Sequence, residues 1–261
     1  VRLADIALRG EMGIPSALSA PQWGFYDVLF SHANKDLSLK PEADRRLRFQ
    51  REFGSYVMEN ILFKISFPAE FHAQTACEAA VTLHPQVKDR LADIEKIVLT
   101  THDSAIRIIS KTGALANPAD RDHCLQYMTA VPLIFGALTA EHYEDSFHAA
   151  HPLIDELRNK MVVEENAEYS ADYHDPEKRS IANAVQVFFS DGSATDKVTV
   201  EYPVGHRRRR EEGMPLLVEK FERNLATRFP TSRCQKIAEL CSHQTTLEAM
   251  PVHKFMDMWM I

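Results

Sequence analysis

A single lysine stands in the stretch YVMENILFKISFPAEFHAQTA, residues 56–76. Lys64 is flanked by Ile61, Leu62, Phe63, Ile65 and Phe67, and His72 and Gln74 follow two residues apart. An ammonium is rarely buried without a partner, because its desolvation is costly. Either Lys64 snorkels to water, or it meets an anion there and holds a carboxylate or an enediolate-like oxygen. Tyr127, in DHCLQYMTAVPLIF, is either a core tyrosine with its hydroxyl satisfied at the rim or a proton donor to a ligand. His123 precedes it by four residues, a spacing that sets both on one face of a helix. His72 and Gln74 point about 200° apart on a helix, so one of them is expected to be structural. Arg207 and Arg208 open a run of four arginines after Gly205. That run reads either as a solvated charge run or as an arginine fork for a polycarboxylate.

These groups are carried by 261 residues, 45% hydrophobic and 26% charged, the profile of a globular protein. The formal charge of −7 offers no global field to nucleic acid, and GHRRRREE has no interleaved aromatics. No apolar run approaches the roughly 20 residues of a membrane span. Neither nucleic acid nor membrane is therefore an expected partner. Cys77, Cys124, Cys234 and Cys241 show no CxxC spacing, so neither a zinc site nor a disulfide framework is expected, and a reducing compartment is the simpler reading. GxGxxG, P-loop, GxSxG and HExxH patterns are absent.

The elements that must position the candidates follow from local pattern. QWGFYDVLF, residues 22–30, is too aromatic for an exposed loop and is expected to dock on a core; residues 31–54 read as a polar connection. A helix is expected over residues 69–83, with Pro68 at its start and Pro85 past its end. Residues 94–101 read as a β-branched strand, and Asp103 as the N-cap of a short helix. DRDHCLQYMTAVPLIFGALTA reads as one long helix capped by Asp120 or Asp122, which Pro132 kinks or breaks. IANAVQVFFSDGSATDKVTVEYP predicts a hairpin turning at Asp191-Gly192. Helices follow from Pro215, with Pro230 as a stop and Thr231 as a cap. The fold class expected is α+β: a mostly helical domain, residues 1–87 and 211–261, with a smaller α+β domain inserted at residues 88–210. VRLADIALRGEMG opens with helical spacing and no initiator methionine, as expected of a cut inside a larger fold.

GFYDVLF, FGSYVMENILFKISFPAEFHAQTA, NPADRDHCLQYM, YHDPEKRSIANA and VEYPVGHRRR, taken in order, closely resemble the MmgE/PrpD family, in its branch that removes water from 2-methylcitrate. The family's cis-aconitate decarboxylases and iminodisuccinate epimerases share mainly the lysine before Phe-Pro and the Gln-Tyr element. The resemblance implies a large all-helical domain interrupted by an α+β lid, in a chain near twice this length of which this is the C-terminal half. It implies a homodimer, a cytoplasmic enzyme in bacteria and a mitochondrial matrix enzyme in fungi. It implies hydro-lyase chemistry on a tricarboxylate without a cofactor, and the cysteines show no iron–sulfur spacing. Lys64 and Tyr127 match the family's site positions, and His123 lies in the same segment. His72, Gln74, Arg207 and Arg208 stand as candidate substrate contacts. An Asp, a Thr and several His are expected from the N-terminal half, so this half alone is expected to be inactive. The alternatives are a decarboxylase or isomerase of cis-aconitate-like acids, or a non-catalytic lid and dimerisation module with a wide apolar face.

Overall fold

A computed structural model of the chain describes residues 1–28, 52, 54 and 56–261. The polar connection expected at residues 31–54 lies almost wholly outside the described residues. The chain divides into two units, Val1–Ser55 and Tyr56–Ile261. In the first, helix α1 (Arg2–Leu8) buries no residue and carries an exposed i,i+4 ion pair of Asp5 with Arg9 at 3.0 Å. Trp23 is 79% exposed and Phe25 45%. The last two residues of this aromatic segment, 29 and 30, lie outside the described residues.

The second unit is α+β. Its sheet has the order β2-β1-β3-β4, formed by β1 (Ile94–Thr101), β2 (Met161–Glu165), β3 (Asn183–Phe189) and β4 (Val198–Val200). β1 lies parallel to β2 and antiparallel to β3, and β3 to β4 is antiparallel. A parallel neighbour requires a crossover, which helices supply between β1 and β2. The expected hairpin forms between β3 and β4, with Val185 opposite Val198 and Gly192 at φ +82° in the turn. Its second strand is only three residues long.

Helix α2 (Tyr56–Asn60) leads to a 3₁₀ turn (Phe71–Ala73) and helix α3 (Gln74–Val87). Pro85 lies inside α3, not beyond it. The small residues Ala76, Ala79 and Ala80 are fully buried, so α3 approaches the sheet and the helix at residues 125–135 closely. The packed sheet unit therefore takes in residues on both sides of position 87. Helix α4 (Asp103–Ile109) is capped by His102, whose ring accepts from the Ala105 N–H, rather than by Asp103.

The long helix expected around Tyr127 is two helices. α5 (Pro118–Asp122) is capped by Asn117 with Pro118 at its first position, and α6 (Leu125–Phe135) starts after Cys124. His123 ends α5 at φ −110°, outside the turn that holds Tyr127, so the shared helix face does not exist. Pro132 sits within α6 without ending it. A proline there frees the carbonyl four residues back. That carbonyl, of Met128, accepts from the Cys77 Sγ–H at 3.2 Å. α6 ends at Gly136, φ +71°, where an added Cβ would stand 2.8 Å from the His84 ring.

Short helices α7 (Asp145–Ala150) and α8 (Leu153–Asn159) precede β2, and α9 (Ala167–His174) follows it. The chain closes with α10 (Arg210–Ala226), α11 (Thr231–Ser242), α12 (Gln244–Ala249) and α13 (Val252–Asp257). α10 begins before Pro215 and buries only Gly213 and Leu225, and α11 is capped by Pro230, not Thr231. Met214, Leu216, Val218, Val252, Met256 and Met260 are exposed.

Candidate functional site

Glu70 caps the 3₁₀ turn and so aims its carboxylate at the first backbone N–H groups. Its Oε2 accepts from the His72 backbone N–H at 2.8 Å, and its oxygens lie 2.9 and 3.0 Å from His72 Nδ1. His72 is buried, 6% exposed. Its Nε2 lies 3.1 Å from the hydroxyl of Tyr173 on α9. Since an ionised carboxylate only accepts, Nδ1 carries the proton and Nε2 accepts from the Tyr173 O–H. Burial pushes the Glu70 carboxyl up, but hydrogen bonds from the His72 ring and backbone, with the nearby His72 and His123, outweigh it and hold it below its ordinary range. Asn183 fixes the pair from β3, donating to the His72 carbonyl at 2.8 Å and to Thr75 Oγ1 at 2.7 Å.

His102, at the end of β1, stacks on the Tyr173 ring at 4.5 Å and 11°. Its Nδ1 accepts from Ala105, so its Nε2 carries the hydrogen, buried and without a partner among the described residues. Burial, then the nearby His72, lowers its pKa to about 4. It is therefore neutral at neutral pH.

Beside this cluster lies a concave surface. A hollow of about 520 Å³ is lined by Leu62, Lys64, Phe71 and Leu217. A second, of about 290 Å³, is lined by Leu62, Phe71, Arg179, His206 and Arg207. Leu62 and Phe71 line both, so the two hollows adjoin, and between them they carry three cations: Lys64, Arg179 and Arg207. A cleft between α10 and α11, about 460 Å³, is lined instead by Glu222 and Glu239 and suits no polyanion.

The four-arginine run builds this surface. Arg207 donates to Asn60 Oδ1 at 3.2 Å and to the Glu177 carbonyl at 2.7 Å, which Arg208 also reaches at 2.8 Å. Arg209 pairs with Glu78 and Glu212 and donates to the Tyr202 carbonyl. Arg210 donates to the carbonyls of Gly205 at 3.0 Å and Ile61 at 2.5 Å, with its guanidinium 3.7 Å over the Phe63 ring. The run's guanidiniums are engaged with carbonyl, amide and carboxylate groups of this chain, and they fasten the segments that carry Lys64 and Arg179. Arg179 itself sits at φ +48°. An arginine held there stores strain, of the kind that concentrates at functional sites.

The remaining candidates separate. Lys64 is exposed, and its carbonyl accepts from Lys220 Nζ at 2.5 Å, so the idea of a buried lysine is corrected. Gln74 is buried and structural: its amide donates to the carbonyls of Phe67 at 3.1 Å and Ala69 at 2.7 Å. His123 is exposed and close enough to bear on the Glu70 carboxylate. Tyr127 is fully buried, and its hydroxyl donates to the His142 carbonyl at 2.6 Å. Burial pushes the Tyr127 phenol up to about 12. Around it, Arg121 pairs with Asp145, His148 with Asp155 at 2.9 Å, and Arg158 with Asp155. In this geometry Tyr127 anchors a core network. Glu70, His102, Tyr173 and Arg179 escaped local pattern; the YHDP of residues 173–176 held the only trace of Tyr173.

The chain belongs to the MmgE/PrpD family: the family's C-terminal domain matches residues 67–244. Within that family it is similar to proteins named 2-methylcitrate dehydratase. The Escherichia coli K12 protein is 55% identical over 100% of this chain and 52% of its own length. The Cupriavidus necator protein is 56% identical over the same shares, 100% and 52%. The mitochondrial protein of Yarrowia lipolytica is 48% identical over 99% of this chain and 48% of its own length. The chain thus spans about half the length of these relatives.

Proposed function

We propose that this chain is the C-terminal half of a 2-methylcitrate dehydratase, which eliminates water from 2-methylcitrate to give 2-methyl-cis-aconitate in propionate breakdown. The observation that carries the reading is identity of 55% along the whole chain to a relative of that name. The adjoining hollows that bear Lys64, Arg179 and Arg207 support it. Three cations match a substrate with three carboxylates, and guanidinium forks suit carboxylate geometry.

The chemistry needs that charge. A proton beside a carboxylate is very weakly acidic, and removing it pushes further negative charge onto the carboxylate oxygens. Fixed cations facing those oxygens stabilise the charge as it develops. Lys64 supplies a mobile ammonium at one end of the surface, and Arg179 and Arg207 hold the other. The α+β unit acts in this reading as a lid, closing over a helical domain supplied by the rest of the protein, within a homodimer. Closure excludes water and strengthens each ionic contact. No cofactor is assigned to the elimination.

The test is steady-state dehydration of 2-methylcitrate by the full-length protein, followed by the ultraviolet absorbance of the conjugated product, with and without chelator. Lys64→Ala should lower kcat/KM by about a hundredfold, the scale of a lost charge-stabilising contact. A variant that keeps the wild-type value would remove Lys64 from the site.

A further inference from the structure

We propose that Tyr173, operated by the Glu70–His72 pair, is the group that takes the proton from carbon in this elimination. The inference rests on the dehydratase reading and names the base which that reading leaves open.

The three residues form an ordered chain. Glu70 accepts from His72 Nδ1 at 2.9 Å, and His72 Nε2 lies 3.1 Å from the Tyr173 hydroxyl. This is the logic of a carboxylate–imidazole pair activating a hydroxyl: the carboxylate fixes the tautomer and stabilises the imidazolium that forms. His72 is too buried to reach a ligand, and its free nitrogen already faces Tyr173. Tyr173, like Glu70, is part-exposed, and Arg179, which lines the cationic surface, is near enough to bear on its phenol. Its hydroxyl is fixed by His72 and its ring by the stack on His102. A rigid donor–acceptor pair on two separate elements is what proton transfer requires.

Burial raises the Tyr173 phenol, which makes a free phenolate costly, while Arg179 beside it acts in the opposite sense. The relay avoids that phenolate. As the Tyr173 oxygen receives the proton from substrate carbon, its own proton passes to His72 Nε2. The C–H electron pair forms the C=C bond, and the C–O pair leaves with the hydroxyl. That hydroxide takes a solvent proton and departs as water. The imidazolium returns its proton to solvent through Tyr173, so the net change is loss of one water. Tyr173 is the catalytic residue; His72 and Glu70 position and drive it.

Tyr173→Phe in the full-length protein tests this, because it keeps the ring and its stack on His102. His72→Gln is the second variant: its amide still meets the hydroxyl but takes no proton. Both should lower kcat by at least about a hundredfold, the usual scale of lost acid–base catalysis. KM should hold near wild type, as should the melting temperature of Tyr173→Phe, and exchange of the substrate's labile hydrogen with solvent deuterium should stop. Wild-type turnover with either folded variant within about threefold of it overturns the relay and leaves the dehydratase reading standing. A wild-type protein that leaves 2-methylcitrate unchanged overturns the reading and the relay together.

Discussion

Gly205 and Phe63 pack backbone against backbone: a Cβ added at Gly205 would stand 2.0 Å from the Phe63 carbonyl oxygen. Gly205 is at φ +100°, and its carbonyl accepts from the Phe63 N–H at 3.2 Å. This contact joins the segment before Lys64 to the loop that opens the arginine run. Only a residue without a side chain fits both the conformation and the distance. Gly205→Ala should therefore cost about 2 kcal/mol or more of stability, and should also weaken tricarboxylate binding. Urea unfolding and substrate titration check it; a variant within about 0.5 kcal/mol of wild type would show that the two segments are not coupled.

The carbonyl that Pro132 strands is covered by a thiol from another helix. Cys77→Ala uncovers Met128 and should destabilise the fold by about 1–3 kcal/mol, the cost of an unpaired buried acceptor. Pro132→Ala restores a backbone donor in α6. Cys77→Ala should then cost less in that background than in wild type, which a double-mutant cycle in urea reads directly. Additive costs would mean that the thiol and the proline act independently.

Acid should loosen the sheet unit. His102 and His206 are both lowered to about 4 from 6.5, chiefly by burial. A histidine with a depressed folded pKa binds its proton more readily when unfolded. Stability is then whole above about pH 6.5 and falls as pH drops towards 4. Glu70, also depressed, adds a loss at lower pH still, as its carboxylate protonates. His102→Asn keeps the cap of α4 while removing one titration, so the drop in urea midpoint between pH 7 and pH 5 should shrink. His72, Asp103, Glu70 and His174 bear on His102 and remain in the variant. An unchanged pH slope would show that His102 does not titrate with folding.

Arg179 trades backbone comfort for a charge. Arg179→Gly relieves its positive φ and should raise stability by up to about 1 kcal/mol, while KM for the tricarboxylate rises several-fold. A gain in stability with unchanged KM would leave the strain without a binding role.

Local pattern reached some of this. The β-branched run at residues 94–101 is β1, and the Asp-Gly turn is the β3–β4 hairpin. The exposure of Lys64 fits either reading of it, a snorkelling ammonium or a cation that meets a ligand. What local pattern could not reach depends on contacts far apart in the chain. His72 meets Tyr173 across 101 residues, and Arg209 meets Glu78 across 131. No window of sequence shows such a pairing. The misplacement of His123 beside Tyr127 has a local cause: Asn117 and Pro118 start a separate short helix, which ends at His123 before α6 begins. Tyr127 and Lys64 then part, one into the core and the other onto the surface.

The most direct measurement is the mass of the product formed when the full-length protein is incubated with 2-methylcitrate. Wild type should give a product lighter by one water, nearly absent with Tyr173→Phe. Substrate recovered unchanged, or a product lighter by carbon dioxide, would contradict the dehydratase reading.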